Sequence, residues 1–135
     1  MRGVELTGPA DPPPELQGRW VVLWDGECGF CRRSVEWVLR RDRAGLLAAA
    51  PYQNCRGWLP EAILERSEEQ VHLRSPGGRY WGGGAAAIRL VGLLGHPLLE
   101  RALGLPPLRT AVGLSYRWLA RHRSRLGRWI AGRPR

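Results

Sequence analysis

The sequence predicts an α/β domain whose elements follow the order β-α-β-α-β-β-α, with a helical extension at the C-terminus. Three observations predict this class. A nearly continuous apolar run over 19–24 is typical of a strand buried on both faces, as in a parallel sheet. Over 29–42 the apolar residues change to the period of a helix. Further on, two alternating runs flank a Ser-Pro-Gly-Gly turn at 75–78, which predicts a β-hairpin.

The remaining elements follow from local signals. Residues 46–50 form a short apolar segment that ends at a proline and is interpreted as the second strand. The helix predicted over 60–66 carries a proline in its first turn, where no hydrogen bond is lost. The arms of the hairpin are 71–74 and 79–81. Three glycines then lead into further helical stretches, over 85–94, 98–103 and 108–130.

This order of elements is that of the thioredoxin-like fold, which has three layers. We therefore expect a thioredoxin-like core over 19–95. Residues 1–18 are rich in proline and glycine and are predicted to be a flexible lead-in. Residues 96–135 are predicted to form a basic helical extension that packs on the same domain. A chain of 135 residues is long enough for one such core but hardly for two.

The charge of the chain is unevenly distributed. All 21 basic residues are arginine, against 12 Asp and Glu, and residues 101–135 hold nine arginines and no acidic residue. Such a segment is compatible with an acidic partner or an anionic membrane surface, and also with a solvated helix face. Nucleic acid is the less favoured partner.

The cellular compartment is inferred from the cysteine count and the N-terminus. A secreted disulfide scaffold usually carries an even and larger number of cysteines, whereas this chain has three. The N-terminus shows no apolar core of a secretory signal, and no run of about 18 uncharged apolar residues predicts a membrane span. We expect a cytoplasmic protein.

The clearest chemical motif is a Cys-x-x-Cys pair. Cys28 and Cys31 lie where the first strand gives way to the first helix. The unpaired N–H groups and partial positive charge of a helix N-terminus stabilise a thiolate there. Cys28 is therefore predicted to attack a substrate disulfide or thiol adduct, and Cys31 to resolve the mixed disulfide. The pair is then itself the redox centre, and no other cofactor is expected.

Two other interpretations of the pair are a metal site and a pair of inert core thiols. A structural zinc site usually needs four ligands, often from two paired motifs. Outside the pair the chain offers only Cys55 and three isolated histidines, which are His72, His96 and His122. No metal site is predicted. Cys55 is interpreted as a bystander thiol, with a role as third redox cysteine as the alternative.

Asp25 lies three residues before Cys28 and has two possible roles. It would either cap the first N–H groups of the helix, or lie beside the sulfurs and take the proton from Cys31 during resolution. Trp24, Gly29 and Phe30 border the pair and are the predicted substrate-binding residues. Gly29 would let the substrate approach closely, and Phe30 would cover one side of the pair.

One aspartate and two cysteines in VVLWDGECGFCRRSVEWVLRRD resemble the signature of the DCC (Asp-Cys-Cys) family of thiol-disulfide oxidoreductase-like proteins. The signature residues here are Asp25, Cys28 and Cys31. The resemblance extends to the hairpin VHLRSPGGRYWGG, the helix start AAAIRL and the tail over 116–127, and so covers about residues 19–130.

The resemblance implies a thioredoxin-like fold and thiol–disulfide exchange with a thiol or disulfide substrate and an unidentified electron donor. Two departures from thioredoxins stand out: 67–71 has no proline where they carry a cis-proline, and Gly-Phe replaces Gly-Pro between the cysteines. The alternative function is a non-enzymatic interaction module. In that case residues 101–135 would bind an acidic partner or a membrane surface, and the cysteines would be vestigial or regulatory.

Overall fold

The computed structural model describes residues 3–131 of the chain, with side chains as far as His122. The strands are Val4–Glu5 (β1), Trp20–Trp24 (β2), Leu47–Pro51 (β3), His72–Arg74 (β4) and Arg79–Gly82 (β5). The helices are Gly29–Arg40 (α1), Glu61–Arg66 (α2), Gly83–Leu93 (α3), Pro97–Leu103 (α4) and Leu108–Ala131 (α5). A 3₁₀ turn, Tyr52–Asn54, follows β3. The predicted α/β class is confirmed.

The five strands form one mixed sheet in the order β1-β5-β4-β2-β3. β2 and β3 are parallel, with Trp20 opposite Leu47, while the other neighbouring pairs are antiparallel. The last four strands in this order, with their helices, are consistent with a thioredoxin-like fold. Because β4 runs against β2 with His72 opposite Leu23, the residues just before β4 lie at the same sheet edge as the end of β2.

The segment predicted to be a flexible lead-in contains a short strand and a buried side chain in the part described from Gly3 onward. Val4–Glu5 adds a fifth strand by pairing antiparallel with β5, and Glu5 also forms an ion pair with Arg79 at 3.2 Å. Leu16 is buried in the core. The pattern suggested mobility because proline and glycine interrupt the segment, but the free edge of β5 and the apolar face beneath it provide partners that no local pattern reveals.

The sheet separates two apolar clusters, which gives the molecule its layers. On one face Val21 and Leu23 of β2 pack with Ile63 of α2 and with Trp58. On the other face alternate residues of β2, β4 and β5 pack with α1 and α3, in a cluster of Val22, Val35, Leu73, Trp81 and Ala86. The alternation along β2 explains its continuous apolar run, since both sides of this central strand are buried.

The C-terminal helices cover the outside of the α1–α3 layer. α5 packs against both α1 and α3, and α4 packs against α3. Arg89 of α3 fixes α4, because its Nη1 donates to both carboxylate oxygens of Glu100 at 3.0 and 2.9 Å. Its guanidinium also lies 5.0 Å from the ring centre of Trp20. Among the described helices, none combines the length and apolar character needed to cross a membrane.

Candidate functional site

The cysteine pair lies at the N-terminus of α1, as the sequence predicted. Cys28 is the N-cap residue, with extended backbone (φ −98°, ψ 114°), and α1 begins at Gly29. The Sγ atom of Cys28 accepts a hydrogen bond from the backbone N–H of Cys31 at 3.2 Å. Cys28 and Cys31 are both half-buried. The sulfur therefore takes the place that a Ser, Thr or Asp oxygen usually has at a helix start.

The Cys28 sulfur lies at the N-terminal, partly positive end of α1. The first turn of α1 contains no acidic residue, so the partial positive charge of the helix end is not cancelled from within the helix. Hydrogen bonds from N–H groups to a sulfur strengthen when the sulfur is ionised. The backbone holds this geometry, because the N–H of Cys28 donates to the carbonyl of Asp25 at 3.1 Å. A helix N-terminus is where reactive cysteines are commonly found, because it presents backbone N–H groups to the sulfur.

Asp25 stabilises the loop between β2 and α1. Its Oδ1 accepts from the backbone N–H of Glu27 at 3.0 Å and from the side-chain amide of Gln53 at 2.8 Å. The N–H of Cys31 is capped by the Cys28 sulfur, whereas Asp25 lies three residues before the N-cap, and its predicted capping role stays a prediction. Its predicted role in proton transfer stays a prediction.

Gln53 is a residue of the site that the sequence interpretation missed. Both polar atoms of its side-chain amide bind the loop: Nε2 donates to Asp25, and Oε1 accepts the N–H of Gly26 at 3.0 Å. A Cβ on Gly26 would lie 2.9 Å from the Cβ of Pro51, so only glycine fits this close approach. A signal was available: Gln53 follows β3, and the carboxyl ends of parallel strands meet at one sheet edge.

The three predicted substrate-binding residues have different surroundings. Gly29 is exposed as the first residue of α1, and Phe30 is half-buried next to it. Trp24 packs against the apolar cluster between the sheet and α1. Its indole N–H is buried without an acceptor among the described residues. Gly29 and Phe30 therefore lie in the same helical turn as the cysteines, whereas Trp24 is also part of the core.

Cys55 is set apart from the pair by its burial. It lies in the apolar cluster on the α2 side of the sheet with 2% of its surface exposed. Its Sγ donates to the carbonyl of Pro51 at 3.3 Å, and burial raises the pKa of the thiol to about 11. It is therefore a protonated thiol at neutral pH. Within the described part of the chain, no group of three or more Cys, His, Asp or Glu could hold a metal ion.

Tyr116 joins the tail to the sheet edge that carries the site. Its hydroxyl accepts the backbone N–H of Val71 at 2.7 Å. Val71 immediately precedes β4 and, by the sheet register, lies beside the end of β2. This is the stretch in which thioredoxins have their cis-proline, a residue without an N–H. Here the N–H is present, and α5 satisfies it.

The fold and the site together define a class: an α/β protein, consistent with a thioredoxin-like fold, with a Cys-x-x-Cys pair at the N-terminus of its first core helix. The chain belongs to the DCC1-like thiol-disulfide oxidoreductase family, whose model matches residues 22–129. This confirms the family resemblance noted in the sequence. Neither the curated proteins nor the solved structures include a match to this chain.

Proposed function

We propose that the protein exchanges a dithiol for a disulfide through Cys28 and Cys31. The observation that carries this proposal is the hydrogen bond from the N–H of Cys31 to the Cys28 sulfur at the N-cap of α1. A structural thiol is usually buried in the apolar core, as Cys55 is. A nucleophilic cysteine is favoured at a helix N-cap, because a helix N-terminus stabilises a thiolate and half-burial leaves the sulfur accessible.

The reaction has two displacement steps. The Cys28 thiolate attacks one sulfur of a substrate disulfide, so a bond between Cys28 and that sulfur forms and the substrate S–S bond breaks. The other substrate sulfur leaves as a thiolate and takes a proton from water. Cys31 then attacks the Cys28 sulfur, which forms the Cys28–Cys31 disulfide and releases the second substrate thiolate. The substrate gains two electrons and the pair loses two, and a dithiol donor restores them.

Asp25 is proposed to accept the proton of the Cys31 thiol in the second step. It lies in the same short loop as the pair, and Gln53 and the N–H of Glu27 hold its carboxylate. Gly29 and Phe30 are proposed to contact the substrate, with Trp24 forming the wall behind them. The substrate class is a thiol or disulfide, the electron donor is a cellular dithiol, and the proposed compartment is the cytoplasm.

The proposal is tested by following the reduction of cystine by the dithiothreitol-reduced protein. Wild type is expected to form the Cys28–Cys31 disulfide and release two thiols per cystine. Cys28→Ser is expected to abolish the reaction, because it removes the attacking sulfur. Cys31→Ser should stop after the first step and leave one half-cystine attached to Cys28, which mass spectrometry detects.

Cys55→Ala provides the matched control, since it removes a cysteine that lies in the core. Its exchange rate should equal that of the wild type. Equal rates for Cys28→Ser and wild type, or an adduct on Cys55 instead of Cys28, would show that the pair is not the reactive centre.

A further inference from the structure

The outer surface of the C-terminal helices exposes an unusual number of large apolar side chains. Of the eleven exposed large apolar residues in the described part of the chain, seven lie within 98–119. Leu98 is 77% exposed, Leu105 63%, Leu114 59% and Trp118 57%. Single exposed apolar residues are ordinary, but a concentration of this kind on consecutive elements indicates a binding surface. The other three are Leu99, Leu108 and Leu119.

The outward face of α5 departs from the usual pattern of a surface helix, which is polar on its solvent side. Its inward side is formed by half-buried residues such as Val112, Tyr116 and Ala120. On the opposite side Leu114 and Trp118, four residues apart, form an exposed apolar stripe. α5 therefore has two apolar sides: one packs on α1 and α3, and no described element covers the other.

The same surface carries an unbalanced positive charge. On helical spacing Arg117 and Arg121 border the Leu114–Trp118 stripe, and both are exposed. Neither forms an ion pair with a described carboxylate, and the same holds for Arg101 and Arg109. Residues 101–135 contain no Asp or Glu, and Glu68 and Glu69, which line one depression with Arg117 and Arg121, form no ion pair with them. The charge is thus available to an anionic partner.

We propose that this surface, the exposed side chains of 98–121, binds an anionic lipid membrane and lies flat on it. Leucine and tryptophan flanked by arginine is the composition with which interfacial helices enter the headgroup region. A second copy of the chain would bring two positive faces together, which like-charge repulsion opposes. This property is independent of thiol exchange.

The test is co-sedimentation of the full chain with vesicles. Binding is expected to vesicles that contain about 30% phosphatidylglycerol and to be at least about tenfold weaker with phosphatidylcholine alone. Raising the salt from about 50 to about 300 mM should weaken it several-fold, because the arginines are exposed. Equal binding to both vesicle types, or none to the anionic ones, would overturn the proposal.

Two pairs of variants identify the surface. Leu114→Ser with Trp118→Ser should weaken binding about tenfold, because it removes the apolar stripe. The control is Trp37→Ser with Leu39→Ser, an exposed tryptophan and leucine on α1 (46% and 38% exposed), which should bind as the wild type does.

The second pair of variants tests the contribution of charge to vesicle binding. Arg117→Gln with Arg121→Gln should weaken that binding, and Arg40→Gln with Arg43→Gln is the control of equal net charge. Soluble polyglutamate provides a competitor that has charge but no apolar phase. If the stripe variant binds vesicles as well as its control does, or if polyglutamate binding equals vesicle binding, the surface recognises acidic polymers and the membrane proposal is wrong. Circular dichroism of each variant shows that the fold is retained.

Discussion

Lowering the pH should destabilise the fold through one buried histidine. His72 lies on β4 with 3% of its surface exposed, opposite Leu23 of β2. The Gln70 amide lies 3.1 Å from its Nε2, so this ring nitrogen accepts and the proton resides on Nδ1, which has no acceptor among the described residues. Burial lowers the pKa of His72 from 6.5 to about 4, and the nearby positive charge of Arg66 adds to the effect.

The size of the effect follows from these two pKa values. Above pH 6.5 His72 is neutral in both the folded and the unfolded chain, and its contribution is complete. Between 6.5 and about 4 the unfolded chain binds a proton that the folded chain does not, so stability falls as the pH falls. At about 1.4 kcal/mol per pKa unit, the loss over this interval is about 3 kcal/mol. Below about pH 4 this group causes no further loss.

Urea denaturation at a series of pH values between about 7 and 4 measures this loss. Carboxylates also titrate in this range, so the informative quantity is the difference in slope between wild type and His72→Gln. His122→Gln removes a histidine on α5 and is the matched control. If His72→Gln shows the same dependence on pH as the wild type, the histidine is not held neutral by burial and the reasoning is refuted.

Three further predictions concern the core and the tail. In the native protein iodoacetamide should modify two cysteines, and Cys55 should react only in urea; rapid native labelling of all three would contradict its burial. Gly92→Ala should change the free energy of unfolding by less than about 1 kcal/mol, because the flexible Glu100 carboxylate can move from the new methyl group and alanine favours the helix by about 1 kcal/mol; a larger loss in urea denaturation would show that the Arg89–Glu100 pair holds that carboxylate in place. Tyr116→Phe should cost about 1–2 kcal/mol by leaving the N–H of Val71 without its acceptor, and an unchanged urea midpoint would show that water replaces the hydroxyl.

Much of the fold was predictable because its signals are local. The buried strand Trp20–Trp24 has a continuous apolar run since it is central in the sheet. The hairpin of β4 and β5 has a Ser-Pro-Gly-Gly turn between alternating arms. The position of Cys28 and Cys31 also followed from the sequence, because a change of hydrophobic period marks the helix start.

The parts that sequence interpretation missed depend on partners distant in the chain. Val4–Glu5 is a strand only because the edge of β5 is open to it, so its proline-rich context was misleading. Gln53 has no motif of its own, and its role comes from the parallel pairing that brings the ends of β2 and β3 together.

The sequence by itself determined the class of the protein: an α/β domain with a Cys-x-x-Cys pair between a strand and a helix. Periodicity and motif spacing are properties of neighbouring residues, so they can be recognised in the sequence alone. The tertiary structure decided which atoms meet. In the folded structure the Cys28 sulfur caps α1, and Asp25 and Gln53 hold the loop before it. The Tyr116 hydroxyl accepts the N–H of Val71, 45 residues away in the chain. Such contacts arise from how the elements pack, and no local pattern encodes them.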